Sequence, residues 1–299
     1  MMKASKRLPP YLLLYAVGII AISFSSIFVR WSEADVAVIA MYRLLLTNVL
    51  MLPFVWKYRQ PLLKLDRSQW LLLMLSGAML GLHFLLWMGS LRYTTVASST
   101  VLLSLEPLLV MIASYFLFKA AINKAMVIGI GIAMIGSIMI GAGDFSLSDE
   151  ALYGDLLSFL GAVVVAVHML IGKHLLKRTQ VFAYNFWAFF FAACLLAIYN
   201  VINRNPFTGY STKEWGLFLL LAIVPTLLGH YVFNFLMKRM AAATVSMSVL
   251  GEPIFASLLA LALLKEKITL YSMAAGMLML YGVWVFIRYG KDNQLVKNS

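Results

Sequence analysis

Ten blocks of apolar residues follow one another along the 299-residue chain, separated by short polar segments. They run over Tyr11–Val29, Val36–Trp56, Gln69–Ser90, Val96–Phe118, Ala125–Gly141, Tyr153–Lys173, Ala183–Val201, Trp215–Met237, Thr244–Leu264 and Tyr271–Ile287. Apolar blocks of about 20 residues predict membrane-spanning helices. Connections such as Leu91 to Thr95 are so short that consecutive helices must be antiparallel neighbours.

The blocks repeat. The fourth carries Glu106-Pro107 and the ninth carries Glu252-Pro253, 146 residues further on. With the two glutamates aligned, Pro107 meets Pro253, Lys119 meets Lys265, Gly136 meets Gly282, and Thr95-Val96-Ala97 meets Ala241-Ala242-Ala243. One gap brings His83 onto His230. Each half then holds five helices, and an odd number sends the second half into the membrane upside down. Inverted repeats of this kind belong to secondary transporters, with the binding site at the repeat interface. The expected fold is therefore an all-α membrane protein of ten transmembrane helices, arranged as two inverted five-helix repeats around a central cavity. Residues 1–145 form the first repeat, 146–290 the second, and 291–299 a cytoplasmic tail. Helices three, four, eight and nine are expected to line the cavity, with one and six alongside.

Composition agrees with lipid burial. The chain is 63% hydrophobic and 12% charged, about half the charged fraction of a soluble domain. The net charge of +12 does not mark a nucleic-acid protein, because the basic residues sit in clusters between apolar blocks rather than along one face. Their placement gives orientation. With the N-terminus inside, 17 of the 24 lysines and arginines fall in inside segments and six outside, and the outside segment 144–155 holds four carboxylates and no basic residue. Both termini are thus expected in the cytoplasm. The run Tyr11–Val29 has no Ala-x-Ala cleavage site and reads as an uncleaved first helix. The single cysteine, Cys194, allows no intrachain disulfide and reads as a small packing residue.

Several features together resemble a known family. They are Met41-Tyr42-Arg43-Leu44-Leu45-Leu46, the two Glu-Pro helices, Leu264-Lys265-Glu266 at the end of the ninth block, and Gly276 through Gly282. The chain resembles, over nearly its whole length, a ten-helix EamA-type member of the drug/metabolite transporter superfamily with two tandem repeats. The family usually places an acidic residue where the fourth helix of each repeat ends. Glu266 matches that pattern and Ala120 departs from it. The resemblance implies export or import of amino acids, metabolites or cationic drugs through a central cavity, and a general structural role for the basic residue at Arg43.

The candidate cavity residues are His83, Trp87, Ser99, Glu106, Trp187, His230, Asn234 and Glu252. A carboxylate in hydrocarbon costs about 3 kcal/mol on insertion scales, so Glu106 and Glu252 should face the bundle interior. There each serves either as a binding group for a substrate amine or proton, or as a structural acceptor beside the proline. His83 and Trp87 are four residues apart and share a helix face, a spacing that His230 and Asn234 repeat. Ser99 stands for the hydroxyls preceding each Glu-Pro pair, which either pack helices or line the site. Trp187, deep in its block, is a candidate cavity wall. Pro107 and Pro253 disrupt the helix at Leu103 and Val249, as hinges or as static kinks. Arg43 either binds a substrate carboxylate, pairs with Glu106 or helix-end carbonyls, or snorkels to the interface. His168, with Lys173 and His174, reads as an interface anchor at the helix end. Gly129, Gly131, Gly136, Gly276 and Gly282 suit close helix packing.

No HExxH pair or carboxylate cluster suggests an enzyme, and no three-ligand set suggests a metal; no cofactor is expected. The longest loop, about a dozen residues, leaves little room for a sensor domain. The expected function is secondary transport of a small polar metabolite, amino acids or related compounds first, in the export direction. Uptake, or export of lipophilic cations, is the alternative. The expected setting is a bacterial cytoplasmic membrane, with lipid and a small-molecule substrate as partners, no nucleic acid, and a monomer or homodimer.

Overall fold

The computed structural model describes residues 10–142, 148–265 and 270–289. Among them there is no strand. The first half comprises α1 (Pro10–Trp31), α2 (Val36–Val55), the short α3 (Arg59–Leu63), α4 (Arg67–Ser90), α5 (Val96–Leu103), α6 (Glu106–Phe118) and α7 (Lys124–Ala142). The second comprises α8 (Asp149–Leu175), α9 (Val181–Ile202), α10 (Thr212–Leu221), a π-helical stretch Ala222–Tyr231 that runs into α11 (Val232–Met237), then α12 (Ala242–Val249), α13 (Glu252–Leu259), a second π stretch Ala260–Leu264, and α14 (Leu270–Tyr289). Among the described residues, eight helical segments are long and apolar enough to cross a membrane, and two further apolar segments, Lys124–Met139 and Met273–Tyr289, are shorter. The protein is a multi-pass membrane protein.

Local sequence explains where the helices start and stop. Asp35, Asp66, Thr95, Ser148 and Ser211 cap helix starts by accepting a backbone N–H of the first turn. Asp66 and Gln69 form a full capping box. Lys119 and Lys265 end their helices with left-handed φ angles of 51° and 59°, the backbone turn that stops a helix. The Glu266 expected beside Lys265, the repeat boundary near 145 and the tail 291–299 lie outside the described residues.

The two prolines do more than bend a helix. Each interrupts it. Proline has no N–H to offer the carbonyl four residues back, and the chain tightens just before it. At Ser104, one backbone N–H is shared between the carbonyls of Thr100 and Val101. A new helix then begins with Glu106 at its first position and Pro107 at its second. Leu250 and Gly251 make the same break before Glu252 and Pro253. Both carboxylates therefore sit in the first turn of a helix, where the positive end of the macrodipole favours negative charge.

Helix contacts are reciprocal between the halves. α4 packs along α8, and α1 packs along the first π stretch; α6 meets α12, and α5 meets α13; α2 lies on α9 and α7 on α14. The α7–α14 pair is close because glycines face backbone. A Cβ on Gly136 would stand 2.6 Å from the Met279 nitrogen, and one on Gly282 2.4 Å from that of Ala133. Gly129 meets Phe286 and Gly282 in the same way. Gly131 and Gly276, expected in this role, do not share it: a Cβ on Gly131 meets nothing within 4 Å, and one on Gly276 only ordinary contact with Ile254 at 3.4 Å.

One end of the bundle is held by carboxylates and arginines. The buried Glu214 accepts from the Ser32 hydroxyl and from the Glu33 N–H. Arg92 donates to the Ser32 and Ala34 carbonyls, and Asp155 accepts from Thr94 and Ser98. The other end is held by lysines: Lys173 donates to the carbonyls of Met237 and Met240, and Lys238 to that of Thr179.

Gly136→Val should force α7 and α14 apart and destabilise the protein by about 1–3 kcal/mol. Thermal unfolding in detergent reads this, with Gly131→Ala expected to leave the midpoint unchanged.

Candidate functional site

A cavity lies between α1, α4, α8, the two interrupted helices, and the first π stretch with α11. Six of the eight residues singled out in the sequence line it: His83, Trp87, Glu106, His230, Asn234 and Glu252. Ile22 and Ser25 come from α1, Phe84 from α4, Val165, His168 and Met169 from α8, and Phe233 from α11; Leu103 and Val249 sit just before the two breaks.

The glutamates reach this space because each starts the second half of a broken helix. Glu106 is 3% exposed and Glu252 5%. The Ser246 hydroxyl, from α12, donates to Glu106 Oε1 at 2.6 Å and ties the two halves together. Glu252 stands within electrostatic reach of Glu106 and Arg43.

Arg43 is fully buried, so it neither snorkels outward nor lies on the cavity wall. It forms a layer behind the wall. Its Nε donates to Thr226 at 2.6 Å and one terminal nitrogen to Ser25 at 3.0 Å. Its guanidinium lies 4.1 Å over the Phe84 ring. The His230 ring meets the same phenylalanine edge-on, with centroids 5.2 Å apart. Phe84 thus contacts both the guanidinium and the imidazole, and a cation over an aromatic face is favourable.

His83 places Nδ1 3.0 Å from the Gly161 carbonyl oxygen. A carbonyl only accepts, so Nδ1 carries the hydrogen and, in the neutral ring, Nε2 is an acceptor. Its ring runs parallel to that of Trp87, 6.2 Å away. Asn234 donates to Asn185 at 2.7 Å.

Three expectations are corrected here. His168 is no interface anchor: it is 3% exposed and lines the cavity. Its Nδ1 is 2.9 Å from the Ser76 carbonyl, and Ser76 Oγ is 2.8 Å from the Tyr184 hydroxyl. The signal for it is the spacing Gly161, Val165, His168, which falls on one helical face. Ser99 is spent on packing, with its hydroxyl 2.6 Å from that of Ser90 and its carbonyl accepting from Ser158 at 2.6 Å. Trp187 is absent from the cavity wall. Its indole donates to Leu62 O at 3.1 Å and its ring sits against Trp70, centroids 4.8 Å apart. Among the described residues, no group of three or more metal-ligating side chains is arranged to hold an ion.

This layout coincides with a family pattern that matches the chain twice. The EamA-like transporter family profile covers residues 9–142 and again 152–288. The chain belongs to the EamA-like transporter family. An uncharacterized transporter of Archaeoglobus fulgidus is 25% identical over 273 residues, 88% of this chain and 91% of its own length. An uncharacterized inner membrane transporter of Escherichia coli is 26% identical over 228 residues, 73% of this chain and 69% of its own. One in Bacillus subtilis is 27% identical over 181 residues, 58% of this chain and 54% of its own. A crystal structure at 18% identity superposes with a TM-score of 0.77 over 94% of this chain and 98% of the other, which places this EamA-like protein in the same fold.

Two substitutions separate wall from scaffold in this EamA-like chain. Thr226→Val removes the acceptor of the buried Arg43 Nε and should cost about 1–3 kcal/mol, seen as a lowered unfolding midpoint. Trp187→Phe should leave the KM of any transported substrate unchanged, measured in proteoliposomes.

Proposed function

We propose that the protein is a secondary transporter that carries a small amine-bearing metabolite, amino acids or related compounds first, outward across a bacterial cytoplasmic membrane. In this reading ten spans form two inverted five-helix repeats, both termini are cytoplasmic, and the cavity opens to one side at a time. The observation that carries it is the pair of buried carboxylates, Glu106 and Glu252, presented to one cavity by equivalent breaks in two helices. Two carboxylates against the single guanidinium of Arg43 leave room for one more positive charge. A substrate ammonium supplies that charge and takes hydrogen bonds from neither wall, since it only donates. The two differently latched ends suit alternating access: releasing the Glu214 and Asp155 contacts opens one end, and releasing those of Lys173 and Lys238 opens the other.

A second reading, export of lipophilic cations, is favoured by one feature. Among the described residues, the cavity wall carries aromatic and aliphatic side chains and no lysine or arginine. Purified protein in liposomes, challenged with labelled amino acids and with cationic dyes, distinguishes the two.

Glu106→Gln and Glu252→Gln, made separately, should each lower transport at least about tenfold while the protein still folds, as expected for a charge-assisted hydrogen bond. Full activity in both variants would remove the carboxylates from the mechanism. In a background with Cys194 replaced, Leu103→Cys and Val249→Cys should be labelled by impermeant reagents from only one side in any one state. Labelling from both sides at once points to a channel.

A further inference from the structure

Three histidines line the cavity, His83, His168 and His230, and their nitrogens are not equally free. His83 Nδ1 stands 3.0 Å from the Gly161 carbonyl oxygen, and His168 Nδ1 2.9 Å from that of Ser76. A carbonyl only accepts, so in each neutral ring Nδ1 keeps the hydrogen and Nε2 is left as an acceptor. His230 differs. Neither of its ring nitrogens has a hydrogen-bond partner among the described residues, and neither is shut away: the side-chain atoms there that are both buried and unpaired belong to Arg43, Asn48, Trp87 and Ser114. The residue is partly buried. Thr226, Phe233 and Asn234, which share its helical face, are all buried, so the surface that His230 keeps open belongs to the cavity and not to lipid. Its ring meets Phe84 edge-on, the Arg43 guanidinium lies over that same phenylalanine, and Arg43 is within electrostatic reach of the imidazole.

We propose that an N–H of His230 holds the carboxylate of an amino-acid substrate while Glu106 and Glu252 hold its ammonium group. This rests on the reading of the protein as a transporter of amine-bearing metabolites, and it names the class: zwitterionic α-amino acids, ahead of amines that lack the carboxylate. A neutral imidazole carries one N–H and can place it on either nitrogen. With no protein partner to fix that choice, the ring is free to present a donor to an oxygen in the cavity. The positive potential of Arg43 on this side favours the negative end of the zwitterion. Arg43 itself is fully buried, so the contact falls to the imidazole.

The test uses full-length protein in liposomes and three probes with one side chain: phenylalanine, phenylalaninamide and phenethylamine. Wild type should show its lowest KM for phenylalanine and its highest for phenethylamine. His230→Phe keeps a ring against Phe84 and removes both nitrogens. It should raise the KM of phenylalanine about 10- to 150-fold, the ratio for one hydrogen bond to a charged group, raise that of phenylalaninamide less, and leave that of phenethylamine unchanged. His230→Gln places an amide N–H near the position of Nε2, and His230→Asn near that of Nδ1; one of the two should recover most of the affinity for phenylalanine. A further measurement guards against misfolding. Without ligand, His230→Phe should unfold in detergent at the wild-type temperature or above, because no protein group bonds to the lost nitrogens. Equal changes for all three probes, no change for phenylalanine, no recovery in either amide variant, or a lowered ligand-free midpoint would overturn the role of His230 and leave amine transport standing. Wild-type protein that takes phenethylamine as well as phenylalanine does the same. Wild-type protein that moves none of the three overturns the amine-transport reading, and the His230 proposal with it.

Discussion

Charge that is kept away from water governs this molecule. A carboxylate or guanidinium surrounded by hydrocarbon is tolerated only where partners or a cavity receive it. Arg43, Glu106 and Glu252 are each almost fully buried, and the surrounding architecture gives hydrogen bonds to Arg43 and to Glu106. The helix breaks put each glutamate at a helix start. Ser246 reaches over to Glu106 from the other half. Thr226, Ser25 and Phe84 hold Arg43 so that its charge stays near Glu252 while its body stays off the wall. Remove any of these supports and the remaining charges lose their reason to be inside.

Packing supplies the rigidity that such charges require. Where α7 meets α14, backbone nearly touches backbone across glycines. α4 uses Gly77 in the same way, with Ala188 O only 2.8 Å from where a Cβ would stand. In lipid, helices gain little from hiding apolar surface against one another, so close contact and polar bonds must hold them together. The cavity is thus framed by tightly fitted helices on its outside and by apolar and polar side chains together on its inside, and the bonds at either end of the bundle are made by different residue types.

Much of this was legible in the chain. Apolar block length predicts the helices, because a membrane demands a fixed length. The repeated Glu-Pro pair marks the breaks, because proline acts through its own covalent structure and needs no neighbour. His83 with Trp87, and His230 with Asn234, were found by their four-residue spacing. What escaped depended on rotation and on partners. Trp187 and Ser99 sit in apolar blocks like the true wall residues, but their faces point to Trp70 and to Ser90, and block composition does not encode facing. His168 was misread because it lies near Lys173 in sequence; its burial is set by Ser76 and Tyr184 on other helices. The interruption of both helices, rather than a bend, and the layer formed by Arg43 behind Phe84 likewise required the three-dimensional arrangement.

The π-helical stretch at Ala222–Tyr231 resolves an arithmetic mismatch between the halves. From the cap Asp66 to His83 is 17 residues, and from the cap Ser211 to His230 is 19. In a continuous α-helix two added residues would rotate everything beyond them by about 200°. His230 and Asn234 would then face away from the cavity. A π turn accommodates more residues per revolution, and within this stretch the Thr226 hydroxyl also donates to the carbonyl of Leu221, five residues back, at 2.8 Å. The extra length is absorbed within the helix, and the angular position of the histidine is preserved. An insertion that would have scrambled one wall of the cavity has instead become a local change of pitch.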